Sequence, residues 1–207
     1  MKLFKDILCK TVILFIFVSP WLLSASADQV EFCDSIPEHF AGWNSNVTLP
    51  KFDPEMGTLR AVDLFCKLNL SQEMTIENMN SEPANFTLNL SGALRVELPS
   101  SDNISISFNQ ENKGNLSGYD GVMDYVGSSG KKTVSEIPTQ AASRSIADIS
   151  DFLGSAPGES IVLPVIVDVS SRTKTTGTSS SGVLSRAGAK VCVSYTYDVK
   201  SGEGGQQ

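Results

Sequence analysis

The chain has 207 residues, of which 41% are hydrophobic and 19% are charged, and its formal net charge at pH 7 is −7. The length predicts one domain with enough chain to bury a hydrophobic core. The acidic balance argues against nucleic acid and anionic membrane surfaces as partners, because both attract basic proteins.

Residues 1–27 have the features of a secretory signal peptide. Three lysines precede an apolar run, which ends in the small-x-small sequence Ala25-Ser26-Ala27. The run is short for a membrane span, and Pro20 interrupts it. We therefore expect a secreted, extracellular mature chain of 180 residues that begins at Asp28. Loss of three lysines and one aspartate with the signal peptide would change the net charge from −7 to −9.

Alternation of apolar and polar residues, the pattern of a strand with one buried face, dominates the rest of the chain. It occupies residues 62–70, 85–98, 103–108 and 191–197. Turn-forming Pro, Gly, Asn and Asp residues separate these runs. Residues 161–169 are more continuously apolar, which predicts a strand buried on both faces, and Pro164 within them indicates an edge strand or a bulge.

Only residues 145–153 have apolar positions at helical spacing, and Gly154 would end such a helix. The Ser/Thr/Gly-rich residues 170–181 fit either a mobile loop or an exposed strand. Many short strands and little helix predict an all-β fold, an antiparallel β-sandwich with one short helix, for which a jelly-roll arrangement is one topology that fits. We expect residues 28–198 to form this single domain and residues 199–207 to be a disordered polar tail.

Three cysteines, Cys33, Cys66 and Cys192, remain in the predicted mature chain, and an odd number in an oxidising compartment predicts one disulfide and one free thiol. Cys66 shares its strand parity with apolar residues and is expected to point inward, whereas Cys192 alternates with apolar residues and is expected to point the other way. This pattern favours a bond from Cys33 to one of the other two. Without a Cys-x-x-Cys motif or a His/Cys cluster, the sequence predicts no metal site and no cofactor.

Six Asn-x-Ser/Thr sequons lie in the predicted mature chain, at Asn46, Asn69, Asn85, Asn89, Asn103 and Asn115. In a secreted chain each is a candidate N-glycosylation site. The pattern also arises without modification, because residues i and i+2 of a strand share one face, and a wet face rich in Asn, Ser and Thr then produces sequons. In both interpretations these asparagines are predicted to face solvent.

Candidate ligand-binding and catalytic side chains are few. Trp43, Tyr119 and Tyr125 could together form an aromatic platform for a sugar ring, although core packing is the commoner fate of such residues. His39 is the only histidine and no Gly-x-Ser-x-Gly motif is present, so we predict no catalytic residue. Six acidic residues lack the spacing of a calcium loop and are interpreted as solvated charges: Glu31, Asp34, Asp53, Asp120, Asp124 and Asp151.

Five segments together resemble the choice-of-anchor E domain, a family of secreted surface domains. They are Leu49–Leu59 (LPKFDPEMGTL), Thr75–Asn78 (TIEN), Asp124–Gly130 (DYVGSSG), Asp148–Gly154 (DISDFLG) and Val193–Tyr197 (VSYTY). The resemblance covers about residues 45–198 in order and spacing, and it implies a β-rich surface domain without an assigned activity or functional residues. Such domains typically carry a C-terminal sorting signal. None is evident before Gln207, so we expect free secretion or non-covalent retention.

These observations favour a non-enzymatic role in interaction or assembly at the cell surface or in the extracellular matrix. The expected partners are other surface or matrix proteins or polysaccharide, and exposed strand edges make self-assembly a further hypothesis. The alternative is a carbohydrate-binding module that uses the three aromatic residues. A secreted hydrolase built on paired carboxylates ranks third, because no sequence feature supports it.

Overall fold

The computed structural model describes residues 27–100 and 102–200. These residues form eight strands and one 3-10 turn. In chain order they are β1 (Ala27–Phe40), β2 (Trp43–Pro50), β3 (Gly57–Asn78), β4 (Ala84–Glu97), β5 (Asn103–Leu116), β6 (Gly130–Ser145), the turn η1 (Ser150–Phe152), β7 (Ser160–Thr175) and β8 (Ser179–Val199).

The strands form two four-stranded antiparallel sheets. Sheet A has the order β1-β8-β3-β6, and sheet B has the order β2-β7-β4-β5. Consecutive strands therefore rarely pair, and the chain crosses between the sheets, which is the double Greek-key arrangement of a jelly roll. The predicted antiparallel β-sandwich is confirmed, and its topology is the jelly roll.

The hydrophobic core lies between the sheets in two clusters. The larger cluster surrounds the fully buried side chains of Val47, Leu64, Leu94, Val165 and Val193. The smaller cluster consists of Met74, Ile76, Phe86, Leu88 and Leu116. The alternating runs in the sequence supply these inward side chains, because every second residue of a strand faces the other sheet.

The prediction that residues 161–169 are buried on both faces is wrong. Leu163, Val165 and Val167 are fully buried, but Val162, between Ile161 and Leu163, is 55% exposed, so β7 buries one face only. Pro164 is tolerated in this strand because the pairing of β4 with β7 ends at Val165, and beyond that point β7 pairs only with β2.

The predicted helix at residues 145–153 is also not formed as expected. β6 continues through Ser145, and only Ser150–Phe152 adopt a 3-10 turn. The reason is a tertiary contact, since the carbonyl of Phe152 accepts the backbone N–H of Phe52 at 2.8 Å. Packing of Phe152 into the larger cluster thus replaces the internal hydrogen bonds that a longer helix would need.

The sequence predictions for the two ends of the chain fall largely outside the described residues. The predicted signal peptide lies outside the described residues except for Ala27, the first residue of β1. The predicted tail lies outside them from residue 201 onward, whereas Val199 still pairs with Gly57 in β8. Residues 170–181 form the end of β7, a turn and the start of β8. Within the described part of the chain, no helix is long and apolar enough to cross a membrane.

Two glycines make room for aromatic rings on the paired strands β4 and β5 of sheet B. Phe86 of β4 is paired with Gly114 of β5, and a Cβ atom at Gly114 would lie 2.7 Å from the Phe86 ring. Phe108 of β5 is paired with Gly92 of β4, with the same distance from its ring to a Cβ at that glycine. Each phenylalanine thus fills the space that the opposite residue leaves free.

Candidate functional site

Three of the five segments that carry the family resemblance meet at one end of the sandwich. Phe52 packs its ring against Tyr195 and Tyr197, with centroid distances of 5.7 and 5.1 Å. The Tyr195 hydroxyl donates to the carbonyl of Pro50 at 2.7 Å, and burial raises the pKa of this phenol. Together with Phe152, these rings form the Phe52 cluster. Its role is packing, because its members are buried in the larger core cluster.

The other two segments meet at the opposite end of β3. Glu77 is fully buried, and its Oε2 accepts the backbone N–H of Tyr125 at 2.7 Å. Asn78 is also fully buried and donates from its side chain to the carbonyls of Glu82 and Ser117, both at 2.8 Å, while its backbone N–H donates to Ser129. Glu77, Asn78, Tyr125 and Ser129 form the Glu77 cluster, which fastens the loop before β6 to the end of β3.

The disulfide joins Cys33 to Cys192, which are directly opposite each other on β1 and β8. This confirms the prediction of one bond from Cys33 and one free thiol. Cys66 is that thiol; it is buried among the apolar side chains of β3 and β8. Burial raises the pKa of Cys66 to about 11, so the thiol is protonated and poorly nucleophilic at neutral pH.

The three aromatic candidates do not form one platform. Trp43 is 9% exposed and donates from its indole N–H to the carbonyl of Ala187 at 3.2 Å. Tyr125 is half-buried and contacts Ser180 through its hydroxyl at 3.0 Å, and Tyr119 is half-buried in the same loop region. Ala187 and Ser180 are seven residues apart on β8, which corresponds to about 23 Å. One sugar ring bound at Trp43 could therefore not also contact the tyrosines.

His39 has a packing role in this arrangement. Its ring stacks on Trp43 with a centroid distance of 4.9 Å, and its Nδ1 lies 2.8 Å from the carbonyl of Pro37. A carbonyl can only accept, so Nδ1 carries the proton in this contact. The imidazole thus covers the Trp43 indole, which is one of the three aromatic candidates for sugar binding.

Three of the six acidic residues hold their own backbone turns. Asp53, Asp120 and Asp124 each accept the backbone N–H two residues later, at 2.8 to 3.0 Å. Among the described residues, the one group of three ligand-type side chains close together is Glu31 with Cys33 and Cys192. Both of these sulfurs are in the disulfide and are not thiolates.

All six sequon asparagines face away from the core, as predicted. Five are exposed and Asn89 is half-buried. Their distribution is uneven: Asn69 lies on the outer face of sheet A, and the other five lie on the outer face of sheet B. Asn85 and Asn115 are directly opposite each other on β4 and β5.

The outer face of sheet A displays apolar side chains. Glu73 of β3 is paired with Val134 of β6 on one side and with Leu184 of β8 on the other, and these two are 69% and 53% exposed. Two residues further along β8, the guanidinium of Arg186 lies 4.6 Å from the ring centroid of Phe40, which is 58% exposed. We call Phe40, Val134 and Leu184 the sheet A patch.

A polar cavity of about 100 Å³ opens between β5 and β6, which are edge strands of the two sheets. It is lined by Gln72, Met74, Phe86, Asn112, Lys113, Lys131, Thr133 and Ser135. Gln72 is 3% exposed, and its Oε1 has no hydrogen-bond partner among the described residues. We call this site the β5–β6 cavity.

The alternating pattern alone does not predict this cavity, although the sequence contains a signal for it. The alternation that begins at Ile104 continues beyond Phe108, but with Gln110 and Asn112 at the inward positions. Polar residues at core positions of a strand indicate either a functional site or a buried network. Gln72 gives the same signal between the inward-facing Leu70 and Met74 of β3.

Comparison with known proteins adds little to this description. No protein-family model matches the sequence, and no curated protein matches it either. Similarity to solved structures includes two of infectious bursal disease virus, from the Gx strain (10% identity, TM-score 0.22, 86% of this chain and 38% of that chain) and the Gt strain (9% identity, TM-score 0.15, 82% of this chain and 43% of that chain). The chain thus spans about two fifths of the length of those proteins, and similarity at this level supports no functional argument.

Proposed function

We propose that this chain is a secreted, non-enzymatic interaction domain of the cell surface or extracellular matrix, with other surface or matrix proteins as its partners. The observation that carries the proposal is the contrast between its two outer faces. Sheet B has five outward sequon asparagines, whereas sheet A has the exposed apolar residues Phe40, Val134 and Leu184. The signal-peptide pattern at residues 1–27 supports export.

The sheet A patch has the composition of a protein-binding surface. Its aromatic and aliphatic side chains lie on three of the four strands, and charged groups flank them: Arg186 beside Phe40, and the Glu73–Lys132 ion pair at 2.7 Å beside Val134. Protein interfaces combine apolar anchors with a polar rim in this way. The outer face of sheet B suits solvent or glycan instead, since Asn, Ser and Thr alternate along it.

The test is retention of the full chain at the surface of its own host. Wild-type protein and the variants Val134→Asp and Leu184→Asp would be produced with residues 1–27 intact, and the surface, matrix and medium fractions would be compared. We expect the wild type in the surface or matrix fraction, in complexes heavier than the monomer. A buried carboxylate at the interface should shift each variant into the medium as a monomer.

Val162→Asp is the matched control. Val162 is 55% exposed on β7, close to the value for Leu184, but it lies on sheet B. If this variant is released as strongly as Leu184→Asp, the patch is not the interface. If the wild type itself is a freely secreted, inert monomer at high concentration, the interaction role is wrong.

A further inference from the structure

The geometry points to the β5–β6 cavity as a binding site for one acidic sugar unit, a hydroxylated ring that carries a carboxylate, such as a hexuronate. The site is independent of the sheet A patch, because no residue belongs to both. It also uses none of Trp43, Tyr119 and Tyr125.

The cavity contains a buried hydrogen-bond acceptor without a donor in the described part of the chain. Gln72 is inward-facing and 3% exposed, yet its Oε1 has no partner among the described residues. Gln110, two residues before Asn112 on the inward face of β5, has a second buried Oε1 without a partner. A buried acceptor is stable only if a donor reaches it. Of these two residues Gln72 lines the cavity, where a hydroxyl group of a ligand or of water can donate to its Oε1.

The size and lining of the cavity limit which ligand can enter. At about 100 Å³ it is smaller than the roughly 150 Å³ cavity that holds a benzene ring. It therefore admits one ring partly, or the end unit of a chain that otherwise stays in solvent. Phe86 supplies an apolar wall, and Asn112, Thr133 and Ser135 supply further polar groups. An apolar wall with several convergent polar groups is the usual character of a small-molecule site.

Two lysine side chains give the cavity positive charge. Lys131 faces the cavity, with its Nζ 5.6 Å from the Phe86 ring centroid, and it forms no ion pair with any carboxylate of the described residues. Lys113 at the opposite wall is paired with Glu111 at 2.9 Å. The cavity thus offers the Lys131 ammonium group without an ion-pair partner, and no carboxylate of the described residues lines it. This arrangement favours an anionic ligand.

The acidic net charge of the chain opposes such a ligand only weakly. At physiological ionic strength, charges more than about 8 Å away are largely screened. Affinity is therefore decided by the groups at the cavity itself, and the carboxylate of a uronate would replace water at the Lys131 ammonium while its hydroxyls donate to Gln72.

The test is a titration of the full mature protein, labelled with ¹⁵N, with sodium glucuronate, with glucose and with sodium acetate. We expect glucuronate to shift the amide resonances of Gln72, Asn112 and Thr133 in a saturable manner. Glucose should bind at least about 10-fold more weakly, because the contact to Lys131 is lost, and acetate should not saturate.

Two neighbouring lysines provide the matched variants. Lys131→Met should weaken glucuronate binding at least about 10-fold, whereas Lys132→Met should leave it unchanged, because Lys132 lies on the outer face and pairs with Glu73. Both variants should keep the wild-type amide spectrum elsewhere, which shows that they fold.

Three results would overturn the proposal. They are no saturable shift with glucuronate, as expected if the cavity holds only water; equal binding of glucose and glucuronate; and equal effects of the two lysine substitutions. None of these results bears on the retention experiment, since the sheet A patch is separate from the cavity.

Discussion

Glu77 shows how one buried residue holds a loop of this protein in place. Its side chain is fully buried, Oε2 accepts the backbone N–H of Tyr125, and Oε1 has no partner among the described residues. Gly130 is required beside it, since a Cβ atom there would lie 2.5 Å from Oε2. The hydrogen bond from Tyr125 to Oε2 stabilises the folded state, whereas the buried Oε1 without a donor destabilises it.

We expect Glu77→Ala to lower the free energy of unfolding by about 2–3 kcal/mol, because the Tyr125 N–H loses its acceptor and a cavity remains. Glu77→Gln should stay within about 1 kcal/mol of the wild type, since the amide oxygen can still accept that hydrogen bond. Urea unfolding of the three proteins measures the difference. Equal losses in both variants would show that the charge, rather than the acceptor, is what matters.

At the scale of elements, β1 depends on a single neighbour. It is an edge strand that pairs only with β8, and the disulfide between Cys33 and Cys192 fastens it there. The two cysteines are 159 residues apart in sequence, so the bond closes nearly the whole described chain into one loop. In the chain-entropy account, a loop of this length restricts the unfolded state strongly.

Removal of this bond in Cys33→Ala/Cys192→Ala should lower the free energy of unfolding by about 2–5 kcal/mol. Reduction of the wild type should give the same loss, and reductant should have no effect on the double variant. Denaturant unfolding with and without reductant measures both. An unchanged midpoint after reduction of the wild type would contradict the expectation.

For the whole molecule, the division of the core predicts uneven stability. The larger cluster fills most of the space between the sheets, whereas the smaller cluster has only five residues, two of which, Met74 and Phe86, line the β5–β6 cavity. Regions with less buried apolar surface open at lower free energy. The smaller cluster should therefore open before the larger one.

Native-state hydrogen exchange tests this within one strand. Leu88 and Leu94 are both fully buried on β4, but Leu88 belongs to the smaller cluster and Leu94 to the larger one. We expect the amide of Leu88 to exchange faster than that of Leu94 at every denaturant concentration below the global transition. Equal protection would mean that both clusters open as one unit.

The fold could be predicted because strand alternation is a local signal that the sandwich satisfies. The runs around Leu64, Leu88 and Val193 all become strands with the expected inward face. The errors occurred where a tertiary contact decides the structure. Residues 145–153 have helical spacing but bind the backbone of Phe52 instead, and Val162 faces solvent although its neighbours are apolar.

The candidate site was much harder to predict. The cavity combines residues from β3, β4, β5 and β6, and only the strand order of the folded molecule shows which of them meet. Trp43 is a candidate for sugar binding from sequence because it is aromatic. Its burial behind His39 depends on the path of β1, which no local pattern reveals. Polar residues at inward positions, such as Gln72 and Gln110, were the usable signal.

The Phe52 and Glu77 clusters share no residue with the β5–β6 cavity. Met74 and Phe86 belong both to the smaller core cluster and to the cavity lining, whereas Asn112, Thr133 and Ser135 line the cavity without belonging to either core cluster. Mutational drift at the cavity leaves the clusters at the two ends of the sandwich intact. Substitutions at these three positions can therefore change what the cavity binds while the jelly roll is retained, so the architecture of this chain does not determine its specificity.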